Sequence, residues 1–356
     1  MNAPFAAAGL VVRAADLADP QERRRLDGFV AAHPDGRIFH RPAWSRAVER
    51  GCRQRAHYLL CEDPAGRLRG LLPMSELRSP LFGNSMVSAG FGVGGGILAD
   101  GDGAASVLAD AAWRLARRRG CSEVELRGGP APGPEWHARA GIYANFAAEL
   151  AQGDEAILRS IKKRQRAEVR RAFDHGLDHR CGRDAAALDA HYRVYSTSVR
   201  NLGTPVFPRA LFAAMLDEFG EEADILTLWK DGRPLSTVLS FYYKDTVHPF
   251  WGGGTAEARA WRANEALYYA LMCRASRRGC TRFDFGRSKL GTGAYAFKKN
   301  WGFEPEPLVY AVRTAAGFER SVNPLDTQYQ LPVALWKRLP LPVANLIGPL
   351  IARGLG

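Results

Sequence analysis

Ala116-Arg-Arg-Arg-Gly-Cys-Ser-Glu-Val-Glu-Leu126 and Ala275-Ser-Arg-Arg-Gly-Cys-Thr-Arg-Phe-Asp-Phe285 share one pattern: a basic helix end, a glycine, a cysteine and a short strand. Glycine reaches the left-handed conformation that ends helices, so each stretch reads as helix, turn and buried strand. Upstream of both, in the same order and at nearly the same spacing, lie a glycine triplet (Gly94–Gly96; Gly252–Gly254) and a turn (Asp63 to Arg67; Asp231 to Arg233). Ordered matches at a near-constant offset are the mark of a tandem duplication. Each copy reads as a strand (Tyr58–Cys61; Ile225–Trp229), a turn, a strand (Leu68–Ser75; Leu235–Tyr243), a third strand into the glycines, a helix and a last strand. That order, an antiparallel meander and then a β-α-β crossover, predicts an α+β fold with a mixed, mainly antiparallel sheet flanked by helices in each half.

At 356 residues the chain exceeds what one core fills, about 250–300 residues, and two domains fit the duplication. The Gly/Pro-rich punctuation between Gly128 and Gly153 divides it into 1–150, the first repeat; 151–320, the second; and 321–356, an apolar, proline-containing tail. Hydrophobic residues at 46% and charged residues at 24% exclude a disordered chain, a fibre and a polytopic membrane protein. The net charge of +12 favours anionic partners without choosing among phosphates, nucleic acid and membrane. Six scattered cysteines without a Cys-x-x-Cys pair, and no clustered histidines, encode neither a metal site nor a redox dithiol; they read as buried thiols in a reducing cytosol. The apolar run Phe5 to Val12 has no basic flank before it and is not read as a signal peptide.

The duplicated meander, glycine-rich strand end and helix-to-strand unit resemble the tandem acyltransferase (GNAT) architecture of the Fem family. In the second copy Phe283-Asp284-Phe285-Gly286-Arg287, followed by Phe297-Lys298-x-x-Trp301-Gly302-Phe303, is similar to the C-terminal signature of Fem-related acyltransferases. Ser198-Val-Arg200-Asn-Leu-Gly203-Thr-Pro205 and the phrase from Gly286-Arg-Ser-Lys289 to Glu304-Pro305 resemble the subgroup associated with exosortase, PEP-CTERM and exopolysaccharide systems. The resemblance spans roughly Phe39 to Tyr310. It implies an acyltransferase that moves an acyl or aminoacyl group onto an amine of a sugar or peptide precursor in cell-envelope or exopolysaccharide biosynthesis. It implies no tightly bound cofactor, with acyl-CoA or aminoacyl-tRNA as donor substrate. The chain departs from the pattern twice: no long charged helical hairpin interrupts the second copy, and the coenzyme A loop Arg/Gln-x-x-Gly-x-Gly/Ala is replaced by Arg287-x-x-x-Gly291-x-Gly293.

In such an architecture a donor's phosphates meet the glycine-rich strand end and the next helix, where free N–H groups and the helix dipole face an anion. Gly252, Gly253 and Gly254, then Arg259, Arg262 and Asn264, are the expected donor-binding residues of the second copy, against a bland reading as solvated loop charges and a helix cap. The first copy carries Asp100 and Asp102 at the matching place, which would repel phosphate. Arg287 and Lys289, at the strand end, are expected to fix a phosphate or carboxylate. Lys298, on a helix from Ala294 to Asn300, is the expected catalytic residue, stabilising the oxyanion of the tetrahedral intermediate. Asp284 reads as structural, because Glu125 matches it in the first copy. Arg159 to Arg171 reads as one basic amphipathic helix with Lys162, Arg166 and Arg170 on one face; with Arg200, in a loop, these are candidates for the acceptor or an anion such as tRNA. The site is expected to face the cleft between the repeats.

The tail from Leu331 is expected to tether to a membrane surface rather than span it, since its uncharged run Leu339 to Ala352 is shorter than the roughly 20 residues of a span. Packing over the first repeat is the other reading. The expected location is cytoplasmic, with a peripheral inner-membrane contact if the tail binds. A noncatalytic GNAT-fold scaffold or RNA-binding module is the rival to the enzyme.

Overall fold

The computed structural model describes residues 6–7, 9–79, 83–129, 131–318 and 327–354, with side chains for 9–79, 83–129, 131–318 and 333–354. It divides into two units: Met1–Gly141 with Leu308–Asn323 and Leu350–Gly356, and Ile142–Pro307 with Pro324–Pro349.

The first unit runs β1 (Ala6–Ala7), β2 (Leu10–Ala14), α1 (Pro20–Ala32), α2 (Pro42–Cys52), β3 (Arg55–Glu62), β4 (Leu68–Ser79), β5 (Gly83–Ser88), β6 (Leu98–Ala99), α3 (Asp102–Arg118), β7 (Glu123–Arg127) and β8 (His137–Arg139). β3 to β5 form the expected meander, with β2 added antiparallel to β3, and β7 returns parallel to β5, pairing Ser85 with Glu123 and Val87 with Glu125. The apolar run near the N-terminus is used here: Val11 to Ala14 pair with Glu62 to Leu59. Leu108, Ala112 and Ala116, four residues apart on α3, pack on Leu59, Cys61, Leu72 and Met74 of the meander. Glu76, buried in the same sheet, binds Arg78 at 2.6 Å and His57 and Arg119 at 2.9 Å. Burial works to raise its pKa, but these partners hold it at about 2.

The second unit runs β9 (Tyr143–Asn145), β10 (Ala147–Glu149), α4 (Asp154–Ser160), α5 (Lys163–Phe173), β11 (Asp178–Gly182), α6 (Ala185–Leu202), α7 (Arg209–Phe219), β12 (Ala223–Lys230), β13 (Arg233–Tyr243), β14 (Thr246–Gly254), α8 (Ala263–Arg277), β15 (Arg282–Asp284), β16 (Ser288–Lys289), α9 (Gly293–Trp301) and β17 (Glu306–Pro307). Its main sheet has the order β10-β15-β14-β13-β12-β11, and β16-β9-β17 form a small second sheet. Leu267, Leu271 and Ala275 of α8 bury against Leu226, Leu228, Val238 and Phe283.

The duplicated stretches fold alike to the level of single hydrogen bonds. Gly120 (φ 72°) and Gly279 (φ 82°) follow α3 and α8 in the left-handed region. Cys121 N–H returns to Ala116 O at 2.9 Å and Cys280 N–H to Ala275 O at 3.0 Å; Gly120 and Gly279 donate to Arg117 and Ser276. This is a Schellman cap in both copies, with alanine and cysteine buried beneath it. The glycine triplets correspond only in place. Gly252–Gly254 end β14, whereas Gly94–Gly96 lie in the irregular excursion between β5 and β6. Five of the cysteines are buried as expected, but Cys181, on edge strand β11, is exposed.

The expected division at residues 150 and 320 gives way to an interleaved one. The Gly/Pro-rich loop after β7 is not a boundary, because β8 beyond it returns to the first sheet. The strand β18 (Tyr310–Thr314), which follows the second copy in sequence, lies between β7 and β8, with Tyr310 opposite Arg127 and Thr314 opposite Glu123. In the opposite sense β10, which follows the first copy, pairs with β15 of the second, Ala147 opposite Asp284. Each sheet is therefore completed by a strand encoded after the other copy. The tail forms α10 (Thr327–Arg338) and α11 (Leu341–Ala352), separated at Pro340. α10 packs on α6 of the second unit, so packing over the first repeat is corrected to the last residues only, where Gln54 Nε2 donates to Arg353 O at 2.7 Å. The side chain of Leu331 and residues 319–326 lie outside the described residues. No helix among the described residues is long and apolar enough to cross a membrane.

Alanine at either Schellman glycine meets no steric obstacle, since no atom lies within 4 Å of the Cβ position, and only backbone strain opposes it. Gly120→Ala and Gly279→Ala should each lower stability in denaturant titrations by about 1 kcal/mol. A neutral result at both positions would remove the cap from the account of the repeat.

Candidate active site

β14 and β15 run parallel yet pair at only two positions, Thr246 with Arg282 and Val247 with Phe283. Beyond them β14 continues along β13 to Gly254, with a bulge opposite Leu239/Ser240, while β15 stops at Asp284. Among the described residues the second edge of β14 has no strand partner past Val247, and a fork opens.

Lys298 holds the chain at the end of β15. Its Nζ, carried by α9, donates to the carbonyls of Phe285 (2.7 Å), Gly286 (2.9 Å) and Arg287 (3.0 Å). Successive carbonyls of a strand point to opposite sides, so three in a row meet one ammonium only where the chain has left the strand. Gly286, at φ 69°, makes that turn. An ammonium has three protons, and all three are engaged. The expectation of Lys298 as oxyanion donor is therefore corrected: it clamps a turn and has no N–H left for a substrate. Burial works to lower its pKa, to about 7, with Arg287 reinforcing and Asp284 opposing the shift, while the three accepting carbonyls favour the ammonium over the neutral amine.

Asp284, expected to be structural, gathers polar groups from neighbouring segments. Its buried carboxylate accepts from Gly286 N–H at 2.8 Å and Asn145 Nδ2 at 3.2 Å, and His248 Nδ1 stands 3.6 Å away. Burial works to raise its pKa; His248, the Gly286 N–H and Asn145 outweigh it and hold the carboxyl below the ordinary aspartate value. Glu125, the counterpart in the first copy, is bound by two guanidinium groups, Arg127 at 2.8 Å and Arg139 at 2.9 Å. The two copies thus place a carboxylate at matching positions of the last strand, one locked by arginines and the other facing a histidine. His248 and Asn145 escaped sequence reasoning. A single histidine inside a strand carries no motif, and Asn145 belongs to the connection between the copies.

The expected donor-binding residues separate into two groups. A Cβ on Gly253 would stand 2.6 Å from the Ser198 side chain, and one on Gly254 2.4 Å from Asn264 Oδ1. These glycines, with Gly252 beside Tyr268, let α6 and α8 approach the strand. Arg262, at φ 53°, caps α8, but its Nε lies 2.6 Å from Glu168 of α5 and its Nη1 donates to Arg259 O. Asn264 accepts from Ser236 Oγ at 2.8 Å. Arg259 is exposed beside the first turn of α8, while α3 of the first copy opens with Asp102 instead. Arg287 and Lys289 go with the small sheet: the Arg287 guanidinium lies over the Tyr143 ring at 4.9 Å, and Lys289 pairs with Tyr143.

The basic run is two helices, not one. α4 ends at Ser160 and α5 begins at Lys163, because Ile161 is buried and Lys162 takes an extended ψ of 139°. Lys162 therefore precedes the helix that carries Arg166 and Arg170, and its Nζ donates to Lys299 O at 3.2 Å. Arg166 reaches back to Arg159 O at 3.0 Å, and Arg170 is exposed. Arg200 is on α6 rather than in a loop, and its Nη1 caps α10 at Lys337 O.

The Asp284 carboxyl has its pKa depressed on folding, so its contribution to stability is complete above about pH 4 and is lost as pH falls through the lower folded value. Asp284→Asn should flatten that acid limb in denaturant titrations run from neutral to acid pH. At neutral pH it should cost about 1–3 kcal/mol. An acid limb as steep as that of the unaltered protein would mean that the carboxylate is not held ionised by these partners.

Residues 159–299 match the family model described as an acetyltransferase (GNAT) domain. A search of curated proteins by sequence gives no match. Among solved structures, FemX superposes with a TM-score of 0.63 at 15% identity, covering 82% of this chain and 96% of that one. A tandem GNAT protein from the clavulanic acid biosynthesis pathway gives 0.55 at 14% identity, covering 87% and 100%. The C-terminal domain of a candidate lysylphosphatidylglycerol synthetase from Agrobacterium fabrum gives 0.55 at 15%, covering 85% and 94%. The architecture is that of tandem GNAT proteins, an α+β fold with two mixed sheets and a small third one, in which the second copy carries the residues that match the acetyltransferase (GNAT) domain.

Proposed function

We propose that the protein is an N-acyltransferase whose second unit moves an acyl or aminoacyl group onto an amine of a sugar or peptide precursor of the cell envelope or its exopolysaccharide. The observation that carries this reading is the fork between β14 and β15, with Asp284 and His248 at its base, inside the stretch that matches the acetyltransferase domain. The open edge of β14 offers backbone N–H and C=O groups to an extended, amide-bearing arm such as that of an acyl-CoA, in the manner of an added strand. Arg259 and the first-turn N–H groups of α8 suit the donor's phosphates.

The amine nitrogen attacks the acyl carbon, the tetrahedral intermediate collapses, and the thiolate or ester oxygen of the donor leaves. One proton must leave the attacking amine. His248 is the residue to accept it, because Asp284 orients the ring from Nδ1 and stabilises the imidazolium that forms. The proton then returns to the leaving group or to solvent. Lys298 acts by positioning: it keeps Phe285 to Arg287 turned away from β14 and the fork open. Lys163, Arg164 and Arg170 are exposed on α5 without an acidic partner among the described residues, which supports a polyanionic donor such as aminoacyl-tRNA beside acyl-CoA.

Radiolabelled acyl-CoA and aminoacyl-tRNA, each supplied with amino-sugar and peptide amines, test the proposal by amide formation. His248→Ala should lower kcat roughly 10²- to 10⁴-fold while donor affinity stays within about twofold. Equal losses in kcat and affinity would make His248 a binding residue. No amide from either donor would leave the noncatalytic scaffold as the better account.

A further inference from the structure

α11 has its faces reversed for a helix that meets water. From Leu341 to Ala352 it carries no charged side chain. Its inward face is small: Ala344 and Ala352 are buried, and Gly348 sits where a Cβ would come within 3.0 Å of Val206. These positions are four residues apart and share one side of the helix. The one polar side chain, Asn345, also turns inward, toward Ser196. Of its large residues Leu341, Ile347 and Ile351 are half-buried, and three point out, with Leu346 74% exposed, Leu350 65% and Val343 42%. Leu335 of α10 adds 57%, and Leu202, beside the Gly203 that packs against Val333 and Lys337, adds 68%. Helices facing water carry their polar residues outward, so this face is suited to an apolar phase.

The chemistry nearby selects the partner. No acidic residue occurs from Leu331 to Gly356, and Lys337 and Arg338 are exposed immediately before α11. A second copy docked on this face would set those cations against their own equivalents, at an electrostatic cost. An anionic surface would neutralise them. Twelve residues of helix extend about 18 Å, against roughly 30 Å of hydrocarbon, so the helix lies in the interface.

We propose that α11 and the end of α10 bind an anionic lipid surface, with Val343, Leu346 and Leu350 in the acyl boundary and Lys337 and Arg338 among the headgroup phosphates. The proposal does not depend on acyl transfer.

Sedimentation of the full chain with vesicles of phosphatidylcholine, with and without phosphatidylglycerol, tests it. The unaltered protein should pellet with the anionic vesicles. Leu346→Glu with Leu350→Glu should reduce that partitioning at least about tenfold. Lys337→Glu with Arg338→Glu should bring it to the level seen on neutral vesicles. All four positions are exposed, so thermal melting close to that of the unaltered protein should accompany the loss. Protein that stays in the supernatant with both vesicle types would overturn the proposal, as would a leucine variant that binds as well as the original. A solution dimer that the leucine variant dissociates, with no vesicle binding, would overturn it in favour of a second copy.

Discussion

The ammonium of Lys298, gripping three successive carbonyls, is the contact on which the geometry of the second unit turns. Strands β14 and β15 start side by side, and nothing in a parallel ladder by itself makes them part after two pairs. Turning Phe285 to Arg287 around one cation draws the chain off the ladder and leaves the edge of β14 open. The same turn brings Gly286 N–H onto Asp284, so the clamp also fixes the carboxylate that faces His248. A buried cation is costly unless its donors are satisfied, and here each has a carbonyl within 3.0 Å. The aromatic rings of Phe146 and Phe285 lie 5.5 and 5.9 Å from it and add a weaker attraction.

The two copies surround a matching carboxylate with different partners. Glu125 and Asp284 occupy matching places, but two guanidinium groups neutralise the first, and neither can give up its proton at physiological pH. The second faces an imidazole, a group able to take and release a proton. The helix starts differ in the same sense: α3 opens on an aspartate, whereas α8 is preceded by arginines.

Much of the fold was legible because it is written in local chemistry. A glycine and a cysteine after a basic helix end specify a Schellman cap, and the cap orients the strand that follows. The meander strands were readable from their apolar runs, within a few residues at each end. Pairing across long distances was not. β10 and β18 are three and five residues long, and nothing in Ala147–Glu149 or Tyr310–Thr314 says which sheet each will enter. The break between α4 and α5 was hidden because the basic residues continue through it while a buried isoleucine ends the helical face. At the site, sequence offers Lys298 as an oxyanion donor and cannot show that its three donors are already occupied by carbonyls. His248 stayed invisible because its meaning depends on a carboxylate on another strand.

The crossed strands also bear on how the chain leaves the ribosome. β7 is an unfinished sheet edge when its own unit has otherwise been made, and the strand that covers it arrives only when Tyr310–Thr314 has been synthesised. The second sheet meets no such delay, because β10 is made before the strand it pairs with. The copy synthesised first is thus the last to close. Through most of translation it presents an open β-edge, the kind of surface that recruits chaperones or pairs with another nascent chain.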